Sequence, residues 1–326
     1  MKEKNCLIFG GTGQIGSNLI RKLAKKNFKI TVVTRNLHIK GNFIKTQANA
    51  GYINVVEANP FDINQIDPLI KKASICINLI GILFEKKNSS FNNIHVNFPS
   101  LLASLCEKNQ VDQFIHLSAM GLEDAKDSSY AQSKLQGEKK IKESFHKTTI
   151  LRPSVVYSVD DNFTTTFMTI LNRLPVFPIY YKGKTKFMPI HCSDLTDVIM
   201  EVIEKRINSE IIECGGPEII SFKQILITLS SLINKKRLIL PVPLFIGSFI
   251  AKFMEILPKP LLTTDQLRLL NYDNVYSNKY LTNSKIGVPS KKLFYNEVEK
   301  YCYMWKDGGQ FSTDRYIKNI SSKKEN

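Results

Sequence analysis

The sequence predicts an α/β protein: a doubly wound parallel sheet with helices on both faces, followed by a smaller, mostly helical C-terminal domain. Three observations predict it. Short apolar runs alternate with longer helical patterns through the first 155 residues, the rhythm of βαβ units. The first run breaks into Gly10-Gly-Thr-Gly-Gln-Ile-Gly16 and then into a helix, the pattern that serves a dinucleotide pyrophosphate. A chain of 326 residues, 43% of them hydrophobic, suffices for one large domain carrying a second. Together they specify a Rossmann-type domain over 1–155, with 187–215 returning to it, a small domain from 156–186 and 216–309, and a polar tail over 310–326.

Leu7, Ile8 and Phe9 form the kind of run found in a strand buried on both faces. Gly10 makes the tight turn, Gly13 lets the backbone approach a pyrophosphate, and Gly16 lets the helix from Gln14 pack on the strand. Ile15, Leu19, Ile20 and Leu23 follow at helical spacing. The N–H groups of that helix terminus, with Thr12, Gln14 and Ile15 beside them, face the phosphates. The second strand, 29–34, ends in Thr34-Arg35-Asn36, where a site for NAD(H) places an acidic residue. A guanidinium suits a 2′-phosphate, so the cofactor reads as NADP(H) over NAD(H); a solvated loop charge is the other reading of Arg35.

Residues 36–51 read as a polar loop or an ill-defined helix, and 53–57 as the third strand. Asp62, with Ile63 beside it, follows that strand. It is placed to accept from an adenine amino group or to cap the helix over 66–73, and the two roles are compatible. The fourth strand, 74–80, ends in Asn78-Leu79-Ile80-Gly81, where Leu79 and Gly81 border the nicotinamide-side ribose. A helix over about 97–107 leads to the fifth strand, 113–118. Tyr130 and Lys134 are four apart, on one face of a helix. The lysine then lowers the phenol's pKa and reaches the ribose hydroxyls, leaving Tyr130 as general acid. Ser118, twelve residues earlier at a strand end, is the polarising hydroxyl.

The net charge of +16 and pI near 9.4 suit nucleic acid or an anionic membrane. Lys, Ile and Asn are abundant together, as an A+T-rich genome produces, and no arginine-rich or aromatic-interleaved stretch occurs, so no nucleic-acid partner is expected. Cys6, Cys76, Cys106, Cys192, Cys214 and Cys302 form no C-x-x-C pair and read as reduced packing residues, neither disulfides nor metal ligands. The first strand starts by about residue 5, which leaves no room for a presequence and predicts a cytoplasmic protein.

Gly10-Gly-Thr-Gly-Gln-Ile-Gly16, Asp62-Ile63, Asn97, Ser118, Tyr130-x-x-x-Lys134 and Leu151-Arg-Pro-Ser-Val-Val-Tyr157 resemble the short-chain dehydrogenase/reductase superfamily in its extended or atypical branch. The resemblance implies that Asn97 supports a proton relay and that Pro153 borders the cofactor. Further on, Asp160-Asp-Asn-Phe163, Lys184-Thr-Lys-Phe-Met-Pro-Ile-His191-Cys-Ser-Asp194, Glu213-Cys-Gly-Gly-Pro-Glu218 and Leu261-Leu-Thr-Thr-Asp-Gln-Leu-Arg268 look like one subfamily. It is the nucleotide-binding accessory subunit of the alpha subcomplex of respiratory complex I, with its bacterial relatives. That resemblance implies a tightly held NADPH, a place beside a quinone-reducing membrane enzyme and little turnover; the missing presequence favours a bacterial member. The chain departs from active enzymes at Ser118-Ala119-Met120-Gly121, where they carry a run of hydroxyls: Ser118 sits too deep, and Met120 takes the place facing a substrate.

In the C-terminal part, 187–190 reads as a return to the sheet, 211–214 as a last strand and 221–232 as a capped helix. Residues 244–257 have Ser248, Lys252 and Glu255 as their polar side chains, one narrow stripe on a helix about three-quarters apolar. At about 21 Å it is too short to cross a hydrocarbon core of about 30 Å. It is either buried in the small domain or docks on a membrane or membrane-protein partner at the cytoplasmic face of an inner membrane. Two functions compete: a structural or assembly protein of the respiratory chain with bound NADPH, and an active NADP-dependent oxidoreductase or epimerase/dehydratase-like enzyme using Tyr130, Lys134, Ser118 and Asn97.

Overall fold

The computed structural model describes residues 4–86, 89–258 and 260–311. The first half runs β1 (Asn5–Phe9), α1 (Gln14–Lys25), β2 (Lys29–Thr34), α2 (Asn42–Lys45), β3 (Ile53–Glu57), α3 (Ile63–Lys71), β4 (Ile75–Asn78), α4 (Phe98–Lys108), β5 (Gln113–Leu117), α5 (Ser129–Ser144) and β6 (Thr148–Pro153). There follow β7 (Val156–Tyr157), α6 (Thr164–Arg173), β8 (Val176–Ile179), β9 (Lys186–Phe187), β10 (Ile190–His191), α7 (Cys192–Glu204) and β11 (Ile211–Cys214). The chain continues through β12 (Ile220–Ser221), α8 (Phe222–Leu232), β13 (Leu238–Pro241), α9 (Leu244–Met254), α10 (Thr264–Leu269), β14 (Leu281–Thr282) and α11 (Phe294–Glu299). The expected polar tail lies outside the described residues from 312 onward.

Eight strands make one sheet in the order β14-β11-β6-β5-β4-β1-β2-β3, every pair parallel. The order reverses between β1 and β4, and a ligand crevice opens beyond the carboxyl ends at that point. β1 shows why its run is apolar throughout. Cys6 and Ile8 face Leu19, Ile20 and Leu23 of α1 and Val198 and Val202 of α7, while Leu7 and Phe9 face Ile66, Leu102 and Ile141 on the opposite side. Each such side chain, fully buried, contributes about 1.5–3 kcal/mol.

β4 stops at Asn78, short of the expected residue 80, because the buried Asn78 turns its Oδ1 back to accept from Ile80 N at 3.0 Å, a local turn that ends the ladder. The return expected over 187–190 takes a different form. Lys186–Phe187 pairs antiparallel with Ile220–Ser221, and Ile190–His191 pairs with Val156–Tyr157, both outside the large sheet; the chain rejoins it at β11. β14 went unread because two residues leave no periodicity.

A separate core joins Met168 and Leu171 of α6, Ile225 and Leu229 of α8 and Val298 of α11. α8 opens on the expected cap, Ser221 and Gln224 bonding reciprocally. All six cysteines are free and buried. Among the described residues no helix is long and apolar enough to cross a membrane. α9 is not buried in the small domain: Phe245, Phe249 and Phe253 are 75%, 76% and 71% exposed.

Candidate functional site

The glycine turn has the shape its sequence requires. Gly10 adopts φ +81, a conformation that glycine adopts without strain, and a Cβ there would lie 3.0 Å from the Leu79 carbonyl carbon. A Cβ on Gly16 would come within 2.5 Å of Gly11, so α1 could not seat on the turn with any other residue. Gly13 differs, since a Cβ would meet only Gly10 O at 3.4 Å; the space beside it is open. α1 begins with no capping side chain and no acidic residue in its first turn. Its N–H groups and the positive end of its dipole are therefore left for an anion, and the donor set fits a pyrophosphate. Thr12, Gln14 and Ile15 are half-buried around it, with Gln14 Nε2 donating to Ser158 Oγ at 2.9 Å.

Arg35 stands exposed just beyond β2. The carboxylate across the ladder, Glu57, accepts from Leu37 N at 3.0 Å. Asp62 is the cap of α3, accepting from Asn64 N at 3.0 Å and from Gln65 Nε2 at 2.7 Å. Ile63 is 48% exposed beside it, and Phe61, which sequence reasoning passed over, tilts on Phe98 at 5.4 Å. Leu79 N donates to Phe9 O at 2.9 Å. A Cβ on Gly81 would lie 3.4 Å from Lys134 Nζ, which joins the cradle to the tyrosine–lysine pair. Pro153 closes β6, its carbonyl accepting from Met120 N at 2.9 Å.

Tyr130 and Lys134 lie in the first turns of α5. Lys134 is buried and donates to Leu117 O at 3.1 Å; burial pulls its ammonium down to about 8, against the opposing pull of Glu138. Burial, followed by the charge of Asp265, pushes the Tyr130 phenol up to about 12. Ser118 is 5% exposed and its hydroxyl has no partner, as its expected depth implies. Met120, expected to face a substrate, is instead buried.

Asn97 does not join the pair. The chain from Asn92 to Asn97 is a π-turn, whose wider winding shifts the inward face; Asn97 is exposed and donates to Asn93 Oδ1 at 3.1 Å. His95 takes the inward place, its ring 5.3 Å from that of Tyr130 and nearly perpendicular to it. Gly137 makes this possible, because a Cβ there would fall 1.8 Å from His95 O. Ser133 Oγ donates to Tyr130 O at 2.7 Å, so it can only accept from His95 Nδ1, 2.9 Å away. His95 Nε2 accepts from Ile82 N at 3.2 Å. Both nitrogens of a neutral ring are thus bonded, and burial, with the charge of Lys134, pushes the imidazole down to about 3. It positions Tyr130 and has no free nitrogen to shuttle a proton.

The family model described as the RmlD substrate binding domain matches residues 4–217. The chain belongs to that family. It is an atypical short-chain dehydrogenase/reductase, homologous to complex I subunits. It is 24% identical over 283 residues to the mitochondrial NADH-ubiquinone oxidoreductase 40 kDa subunit of Neurospora crassa, covering 86% of this chain and 74% of that protein. To the mitochondrial NADH dehydrogenase (ubiquinone) 1 alpha subcomplex subunit 9 of Arabidopsis thaliana it is 23% identical over 318 residues, 94% of this chain and 79% of that one. Among solved structures, dTDP-glucose 4,6-dehydratase DesIV of Streptomyces venezuelae, with NAD and TYD bound, shares the fold at TM-score 0.70 and 14% identity, covering 92% of this chain and 96% of that one.

In this RmlD-family chain two groups beyond the matched 4–217 span reach back to α5. Asp265 of α10 accepts from Ser129 N at 2.8 Å, from Tyr130 N at 3.1 Å and from Ser128 Oγ at 2.8 Å, a carboxylate on a helix N-terminus. Tyr280 lies under Arg152 at 4.6 Å, and Arg152 forks onto Glu138 of α5 at 3.0 and 2.7 Å. Local patterning could not find either, since both depend on contacts across more than a hundred residues.

Proposed function

We propose that this protein holds NADP(H) as a fixed, structural cofactor in a subunit of the complex I type, attached peripherally to the cytoplasmic face of a bacterial inner membrane. The observation that carries the reading is the surroundings of Tyr130. A substrate-reducing site needs a phenol with an open approach and a mobile proton, whereas here Asp265 tethers the helix that bears it and His95 commits both ring nitrogens to internal bonds. Homology to complex I subunits along most of the chain supports the same reading. Arg35, with no acidic residue in its place, supports NADP(H) over NAD(H). The backbone N–H groups in the first turn of α1 hold the pyrophosphate, Asp62 and Ile63 flank the adenine, and Leu79, Gly81, Lys134 and Pro153 border the nicotinamide ribose. Bound NADPH would supply a hydride.

The second reading, an NADP-dependent oxidoreductase or epimerase-like enzyme, draws on the pairing of Tyr130 with Lys134, whose amine lies beside Gly81. The test is protein purified without added nucleotide and denatured, the released ligand identified by mass. Stoichiometric NADP(H) supports the first reading; empty protein, or NAD(H), overturns it.

A further inference from the structure

We infer that α9 and the β8–β13 ribbon before it form a single face that lies on an anionic phospholipid bilayer. The inference deepens the peripheral placement proposed above and is independent of the cofactor reading. Phe245, Phe249 and Phe253 recur every fourth residue of α9 and are 75%, 76% and 71% exposed, with Ile256 78% exposed just past its end. At 100° per residue these four fall within about 80° of one another, one continuous outward stripe. The ribbon leading into α9 is apolar and exposed as well: Leu238 and Val176 are register partners and are 56% and 41% exposed.

This outward orientation is fixed by packing. α9 meets the protein through its smallest residues: Ala251 is fully buried, and a Cβ on Gly247 would sit 2.2 Å from the Tyr180 ring. Rotating the helix to hide a phenylalanine would drive that side chain into Tyr180. Exposed apolar surface of this extent marks an interaction face.

The charges on the face select the occupant. Arg173 and Lys236 are exposed where the two ribbon strands begin, held together as Leu238 N donates to Pro175 O at 3.1 Å. Lys252 is exposed, and its direction lies about 20° to the side of that of Phe245, at the edge of the apolar stripe. The nearby acid, Glu255, is turned away to accept from Thr264 N at 2.7 Å and Thr264 Oγ1 at 2.8 Å. A protein partner covering the stripe out to this edge would have to bury Lys252 and supply it a carboxylate. At a bilayer surface the lysine stem stays among the acyl chains while its ammonium reaches a lipid phosphate. α9 is about 16 Å long, which suits lying in the interface and not crossing it.

The test is co-sedimentation of the full chain with phosphatidylcholine vesicles, with and without phosphatidylglycerol. Wild type should bind the anionic vesicles about tenfold more tightly than the neutral ones, and Phe249→Ser with Phe253→Ser should weaken binding by about tenfold or more. Lys236→Glu with Lys252→Glu should abolish the preference for phosphatidylglycerol. Circular dichroism of each variant reports folding, and nucleotide retained per chain, read by absorbance, reports the cofactor reading separately. The inference is overturned if wild type stays in the supernatant with anionic vesicles, or if the double phenylalanine variant pellets as wild type does. It is overturned equally if sedimentation equilibrium finds a dimer that the same variant dissolves while vesicle binding is absent, which would assign the face to a second copy of the chain.

Discussion

At the glycine end of the cleft α1 opens with neither a capping side chain nor an acidic residue, whereas at the tyrosine end Asp265 caps α5 and His95 has both ring nitrogens bonded. The first end leaves backbone donors unsatisfied in open space, which is the condition for taking up an anion. The second removes freedom from the groups that catalysis would have to move. One cleft therefore combines an anion grip with a braced tyrosine end, and the proposed structural role rests on that difference.

The contrast can be broken at either end. The largest effect is expected at Gly13, where a Cβ meets only Gly10 O at 3.4 Å. Gly13→Ala should leave the melting temperature of the nucleotide-free protein unchanged and weaken nucleotide retention about a hundredfold, because the methyl fills the space of the pyrophosphate. Equal retention by titration calorimetry would move the phosphate site elsewhere. Next, Arg35→Asp should cost NADP(H) about ten- to a hundredfold in affinity while sparing NAD(H), the scale of a lost charge-assisted bond; competition binding reads the ratio. Unchanged selectivity would return Arg35 to a solvated loop charge.

At the braced end, Asp265→Ala removes the carboxylate from two N–H groups and Ser128 and should cost about 1–2 kcal/mol of stability, visible by scanning calorimetry, without any gain in NADPH oxidation. A variant that begins to consume NADPH would make the tether a brake on a working site. The last effect is in pH dependence. His95 titrates near 6.5 when unfolded and is pushed down to about 3 when folded, by burial and the Lys134 charge. Stability from this group is complete above about pH 6.5 and falls by about 1.4 kcal/mol per pH unit as the pH drops toward 3. Buried His116 is pushed the same way and steepens the fall. Denaturant titrations between about pH 7 and 5 should show this slope and His95→Asn should flatten it; equal slopes would mean that His95 is not held neutral.

The same contrast explains what could be read in advance. The cradle is largely a local object: Gly13 and Gly16 meet their partners within a few residues, and Gly10 makes its turn locally although it abuts Leu79 at the end of β4, so spacing carries it, as it carries β1 to β5 and α1. The tyrosine end is assembled from distant parts. Tyr130 and Lys134 follow from an i, i+4 spacing, but Asn97 was misassigned because a π-turn, invisible in periodicity, carries His95 inward in its place. Asp265 and Tyr280 approach α5 from more than a hundred residues away, and no window of sequence contains both sides of such a contact. α9 was readable as an apolar helix but not in orientation. Its Ser248-Lys252-Glu255 stripe left buried and docking placements open, and the small residues Gly247 and Ala251 decide which side is buried.

Following the absorbance of bound nucleotide in protein purified without it, for hours with and without added quinone, tests the central claim most directly. A fixed cofactor predicts an NADPH signal that stays constant in both samples and is released intact on denaturation. Decay of that signal on adding quinone would show hydride leaving the site, and the protein would be a working oxidoreductase.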